Sequence, residues 1–260
     1  MTDLTLLVKA SNPKQLRQID DFLKAELGEL DLEIKVSISS INKWVQVSLS
    51  GEDQAIATNY INQKIGTCPV TTENIKKDTV LKGYLLKIDT TKQQLRFDIG
   101  VFQPKIVQAT IPLTYLQTQL ANGKKTPINQ ICEIYGLREG LPLSIKISNI
   151  EGEEEGFLPA EFSLEQIEQI TFWKRSLLDR LIILNASQSE VDTVLARTGL
   201  NRDIIGVDAL GMFEYALVCK LGTDAAGLVS GVGRYMRNAV FIVYNPRRII
   251  DLIGETSLNL

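Results

Sequence analysis

Apolar and polar positions along the first 66 residues alternate between two periods. Leu4 to Ala10 is an apolar-rich run that reads as a strand. Asn12 before Pro13 marks a helix start: an Asn oxygen can accept a free N–H of the first turn, and Pro loses nothing at the first helical position. Leu16, Ile19, Leu23 and Leu27 follow at helical spacing, and Gly28 offers a left-handed stop. Leu32, Ile34, Val36 and Ile38 then alternate with polar residues, and so do Val45, Val47 and Leu49 after Trp44. Both patterns predict half-buried strands. A second helix is expected from about Glu52 to Ile65, ending at Gly66, with a further strand near Val70. This β-α-β-β-α order predicts a ferredoxin-like or KH-like α/β module over residues 1–73. No Gly-x-x-Gly clamp occurs in its loops, which removes support for RNA binding of the KH kind.

The pattern shortens from residue 74. Strand-like runs at 79–88, 94–99, 107–111 and 143–147 are separated by turn signals, and Leu113, Leu116 and Leu120 space a short helix between the last two. Short strands at this spacing predict a small antiparallel β-barrel of the oligonucleotide-binding (OB) type over residues 74–150. An acidic linker and a helix over 163–179 follow, in a segment bounded at 151–179. The last stretch, 180–260, gives a strand at 181–184, a capping box at Ser187 and Glu190, and a helix stopped by Gly199. Strands at 204–210 and 215–219, a helix at 223–236 and a strand at 239–244 complete a second ferredoxin-like α/β module. Gly227 and Gly231 share a helix face, where small residues would let the helix pack close on the sheet. The predicted fold class is α+β.

Composition narrows the chemistry. The chain has no histidine, which removes Ser-His-Asp and Cys-His nucleophilic catalysis and the commonest metal ligand. Cys68, Cys132 and Cys219 are scattered and form no zinc-binding pair, so reduced, buried thiols are expected. We therefore expect no enzyme, no cofactor and no metal. The chain shows neither a signal peptide nor a membrane-length apolar run, so a cytoplasmic location is expected.

Charge changes the picture further. The net value of −3 hides a segregated pattern: residues 74–150 hold 11 Lys and Arg against 5 Asp and Glu, whereas residues 151–170 hold none against 7. Basic surplus beside aromatic residues on a small barrel is the combination that holds single-stranded nucleic acid, where bases stack on rings and cations meet phosphates. The candidate residues are Lys82, Tyr84, Lys87, Arg96, Phe97, Phe102 and Lys105. The alternative reading places Tyr84 and Phe97 in the core and the lysines on a solvated face. The acidic run Glu151–Gly156 reads as a linker that could also mimic nucleic acid. Lys220, Gly222 and Thr223 precede the helix expected from 223, where free N–H groups can hold an anion. Thr223 and Asp224 as ordinary helix caps are the competing account.

Two resemblances attach to these residues. Lys82-Gly83-Tyr84, Phe97-Asp98-Ile99-Gly100 and Ile111-Pro112-Leu113 with Leu116 resemble the OB barrel of the ribosomal protein S-one type. That family binds RNA through aromatic and basic residues on a barrel face, which implies such a face at Tyr84, Phe97 and Phe102. The chain departs from it in lacking the His and Ser after the third strand and in carrying a long segment, Thr118 to Leu141. Farther along, Leu195-Ala-Arg-Thr-Gly-Leu-Asn-Arg-Asp-Ile204, Val207-Asp-Ala-Leu-Gly211, Val218-Cys-Lys-Leu-Gly-Thr-Asp-Ala-Ala-Gly-Leu228 and Gly233-Arg-Tyr235 resemble an archaeal family, domain of unknown function 2110. Ile131-Cys-Glu-Ile-Tyr-Gly-Leu137 with Leu141-Pro142 fits it too. That resemblance implies an archaeal source and brings no activity with it.

The leading expectation is a non-catalytic protein that contacts RNA or single-stranded nucleic acid, as an accessory to archaeal translation, transcription or RNA processing. The alternatives are a protein–protein adaptor docking a larger complex of information processing, and a small-molecule sensor acting through the C-terminal module. No membrane partner is expected.

Overall fold

The computed structural model describes residues 1–40, 42–150 and 155–254. They form a mixed α+β chain with three sheets. Two compact units make it up: residues 1–74 with 100–104, and residues 75–99 with 105 onward.

In the first unit, β1 (Thr2–Lys9), β2 (Leu32–Ile38) and β3 (Trp44–Gly51) pair antiparallel in the order β1-β3-β2. Helices α1 (Pro13–Leu27) and α2 (Gln54–Lys64) supply Ile19, Leu23 and Ile61 to a core shared with Leu6, Val47 and Leu49. The Asn12 side chain caps α1 by accepting from the Gln15 N–H at 3.0 Å, as its position beside Pro13 requires. Gly28 does not take the expected left-handed stop. It stays right-handed at φ −68°, and the following turn closes through Leu30 N–H to the Leu27 carbonyl at 3.1 Å. The strand expected near Val70 is reduced to isolated bridges, Leu6 with Thr67 and Val70 with Val101.

In the second unit, β4 (Val80–Asp89), β5 (Gln94–Val101), β6 (Val107–Pro112), β7 (Pro142–Ile147) and β8 (Phe157–Phe162) close on themselves in the order β4-β5-β6-β8-β7. The last two residues of β5 belong to the first unit. Strands β6 and β8 run parallel, while β7 runs antiparallel to both β4 and β8. Alternation sends Leu95, Phe97, Leu158, Ala160 and Phe162 inward, and Phe97 meets Phe162 edge to face at 6.4 Å. The closing strand β8 comes from the segment read as a linker. Pro159, which lacks a ladder N–H, and the acidic run before Phe157 disguise it.

The segment after β6 is not a long loop. It holds α3 (Leu113–Leu120) and α4 (Ile128–Tyr135), the latter stopped by left-handed Gly136 with the Leu137 N–H returning to the Cys132 carbonyl at 2.8 Å. After the ring come α5 (Leu164–Ser176), β9 (Arg180–Leu184), α6 (Gln188–Thr198) and a 3-10 turn (Leu200–Asp203). Then follow β10 (Ile204–Ala209), β11 (Glu214–Cys219), α7 (Ala225–Gly233), β12 (Val240–Tyr244) and α8 (Pro246–Ile253). The four strands form an antiparallel sheet in the order β10-β11-β9-β12.

Every residue of β9 is buried because both faces of this sheet are covered. Leu181 and Ile183 pack with Val191 and Leu228 of α6 and α7. On the opposite side, Tyr244 stacks edge-on against Trp173 of α5 at 5.3 Å. Arg180 is closed off there too, its guanidinium 4.7 Å from the Trp173 ring centre and donating to Ser176 Oγ and the Leu178 carbonyl at 3.1 Å. The two α7 glycines do not serve close packing on the sheet. A Cβ on Gly227 would meet open space, and one on Gly231 would touch only the Leu200 side chain at 3.5 Å.

Candidate nucleic-acid interface

The seven residues expected on one binding face divide among five environments. Phe97 is fully buried inside the ring, so it cannot serve as a stacking platform. Tyr84 points outward from the ring, yet it is 3% exposed because the C-terminal module covers it. Its hydroxyl donates to Glu214 Oε2 at 3.4 Å. Lys82, two residues earlier and on the same side of β4, donates through Nζ to the Leu210 carbonyl in the β10–β11 turn. Tyr84 is thereby withdrawn from solvent, whereas Lys82 stays half-buried.

This covered face has its own electrostatics. Burial pushes the Glu214 carboxyl up to about 7, against the opposing pull of the Phe213 N–H, the Lys82 charge and the Tyr84 hydroxyl. Burial likewise draws the Lys82 ammonium below its ordinary value, with Glu214 acting in the other direction. The cluster joins ring and C-terminal sheet by polar contacts.

Lys87 and Arg96 remain outside. They are register partners on β4 and β5, and Arg96 reaches across to β6, where Nε and Nη2 donate to Gln108 Oε1 at 2.9 and 2.6 Å. Gln108 is in turn the register partner of Phe157 on β8. Lys87, Arg96, Gln108 and Phe157 therefore form one row across four adjacent strands. The Arg96 guanidinium carbon lies 5.1 Å from the Phe157 ring centre, and Lys92 Nζ, from the β4–β5 turn, lies 5.7 Å from it. Lys87 and Lys92 are exposed, while Arg96, Gln108 and Phe157 are half-buried. Phe157 and Gln108 escaped sequence reasoning because Phe157 stood in the apparent linker; the signal that could have found them is the alternation of Leu158, Ala160 and Phe162.

Lys105 is exposed just before β6. Phe102 is half-buried, its N–H donating to the Val70 carbonyl at 3.0 Å within the first unit. Glu151–Glu154 of the acidic run lie outside the described residues.

The expected anion site at Lys220, Gly222 and Thr223 is occupied by the chain's own carboxylates. The Ala225 N–H donates to Asp179 Oδ2 at 3.3 Å and the Ala226 N–H to Asp224 Oδ1 at 3.0 Å. Asn245 Nδ2 also donates to Asp179 at 3.3 Å. Two carboxylates at the start of α7 satisfy its N–H groups and repel phosphate, so capping prevails over anion binding here.

The three cysteines are buried thiols that form no disulfide, and burial raises the Cys132 thiol to about 12 and the Cys219 thiol to about 11. Thiols held protonated in this way are poor nucleophiles. Among the described residues no group of three or more His, Cys, Asp or Glu converges to hold a metal ion, and no helix is long and apolar enough to cross a membrane.

Models of the DUF2110 N-terminal, central and C-terminal domains match residues 4–71, 75–174 and 178–244. The chain belongs to the DUF2110 family. The central DUF2110 match runs through β8 and most of α5, so the ring-closing strand falls within the same domain as the ring. The DUF2110 C-terminal match begins just before β9 and ends with β12, the bounds of the four-stranded sheet. A search of curated proteins finds no match.

Proposed function

We propose that this DUF2110 protein is a non-catalytic accessory protein that contacts RNA or other single-stranded nucleic acid through the outer row of its central ring, in archaeal translation, transcription or RNA processing. The ring is read here as an OB-type barrel, and the sheets on either side as ferredoxin-like modules. The observation that carries the reading is the row Lys87–Arg96–Gln108–Phe157 with Lys92 above the ring of Phe157. Cations on an aromatic platform, with an amide beside them, supply the phosphate contact, the stacking surface and the polar edge that a single strand needs. Arg96 and Lys92 lie over Phe157; an incoming base would take the platform while the cations turn to its phosphates. Filter binding of the full chain to short single-stranded RNA and DNA across a salt series tests this. Binding should weaken with salt and fall on Arg96→Glu. Absence of binding at low salt, or indifference to Arg96→Glu and Lys87→Glu together, removes the proposal.

A protein-docking role has separate support in α5, where Leu164 and Phe172 are 73% and 66% exposed. Capture of a partner that survives nuclease and high salt, and is lost with Phe172→Ser, would favour that role over the nucleic-acid one.

A further inference from the structure

A second basic surface lies on the C-terminal module and shares no residue with the row on the ring. Helix α6 ends with Arg197 in its last turn, and α7 is followed by Arg234, Tyr235 and Arg237. Met236 anchors this segment by burying its side chain, while the flanking Tyr235 and Arg237 stand in solvent with Arg234. The Arg197 guanidinium carbon sits 4.6 Å from the Tyr235 ring centre, which joins the ends of the two elements into one patch. Packing of Leu200 beside Gly231 holds the turn after α6 against α7.

None of Arg197, Arg234 and Arg237 makes an ion pair among the described residues, and what marks the patch is their grouping beside one tyrosine. One cation at the end of α6 is explained by the helix dipole. Arg237 lies beyond either helix, so that account does not reach it. All three are arginines, whose planar forks suit two phosphate oxygens at once; Arg197 lies over a tyrosine that is 46% exposed, and the other two are its neighbours in the chain.

We propose that Arg197, Arg234, Tyr235 and Arg237 form a second nucleic-acid contact, taking the phosphates and one base of a single RNA strand. The inference rests on the ring-binding reading above, because it makes the C-terminal module a further hold on the same strand. Two linked contacts bind a long strand more tightly than either alone, since the second forms at high effective concentration. A short strand engages one site and gains nothing from the other.

The test uses the full chain, with fluorescence anisotropy on 6- and 30-nucleotide oligouridine. Four proteins are compared: wild type, the triple Arg197→Glu/Arg234→Glu/Arg237→Glu, Tyr235→Ala, and Lys87→Glu/Arg96→Glu. Melting curves check that the exposed substitutions leave the fold intact. The triple variant should bind the 30-mer at least tenfold more weakly, with a salt slope smaller by about 2, as expected for three lost phosphate contacts on a single strand. Tyr235→Ala should weaken it about fivefold or more, as loss of one stacked base does. The triple variant should also lose the tighter hold on the 30-mer over the 6-mer that wild type shows. Unchanged 30-mer binding in the triple variant overturns this inference, and if Lys87→Glu/Arg96→Glu still abolishes binding the ring reading stands alone. Loss confined to the triple variant keeps the patch and removes the ring. No binding by wild type removes both. Uridine monophosphate that occupies the patch as tightly as the strand would overturn the assignment to a polymer.

Discussion

The two outer faces of the central ring start from similar materials and end in opposite states. One carries Lys82 and Tyr84, the other Lys87, Arg96 and Phe157, so each pairs basic with aromatic side chains. On the first, the β10–β11 turn takes the lysine's proton donors and a buried glutamate takes the tyrosine hydroxyl. On the second, Arg96 donates to an amide and lies with Lys92 against the face of a phenylalanine, while the charges of Lys87 and Lys92 act on the nearby Asp89 carboxyl. Composition alone does not separate a joint between domains from a binding surface. The difference lies in what the rest of the chain lays against each.

That contrast can be broken by substitution, and the largest effect belongs to neither face. Phe97→Ala empties the ring interior against Phe162 and should destabilise the second unit by about 3–5 kcal/mol, measured by urea unfolding. The covered face should respond to pH. With Glu214 at about 7 in the fold and 4.5 in the open chain, the unfolded state binds fewer protons between those values. Its stabilising share is therefore full below pH ~4.5 and is lost as pH rises through ~7, a swing on the order of 3 kcal/mol. Glu214→Gln should remove that slope, so the gap between variant and wild type should widen from pH ~4.5 to ~7.5 in favour of the glutamine protein. Equal slopes would contradict the burial of this carboxyl.

On the open face, Lys87→Glu with Arg96→Glu should cost about 1–2 kcal/mol of stability, from the lost Arg96–Gln108 hydrogen bonds and the contact with Phe157, and leave the fold cooperative. It should cost about 1–3 kcal/mol of binding to single-stranded RNA. The smallest effect is expected at Tyr84→Phe. That change removes a long hydrogen bond and should cost about 0.5–1 kcal/mol of stability, with no change in RNA binding. A loss of binding there would place Tyr84 on the working surface and reverse the comparison.

Elements with a clear period and a clear cap were legible in the sequence. The helix from Pro13, the strands at Leu32 and Trp44, and the capping box at Ser187 all stand where local chemistry puts them. Three elements were not. The Asn-Pro signature that opens α1 recurs at Asn245-Pro246, where Asn245 accepts from the Arg247 and Arg248 N–H groups at 3.0 and 3.2 Å to open α8. That second helix is short, and beyond Pro246 its buried turns are marked by Ile249 and Ile253. Helix α4 had its signals in Pro127 and Gly136 and was hidden inside an apparent insertion. Strand β8 was hidden by Pro159 and by small Ala160 in its inward row. Of the site, the cations were legible and their allocation was not. The covering of Lys82 by a turn 128 residues later is a tertiary fact with no local trace. The row partner Phe157 depended on recognising β8 first.

The late arrival of β8 governs how this protein can be cut. A fragment ending near residue 150 would hold four of the five ring strands, leaving β6 and β7 each with an unpaired edge. Open edges of that kind template pairing with other chains, so such a piece should aggregate. The same gap would exist on a ribosome until Phe162 emerges, and it sets the earliest length at which the ring can close.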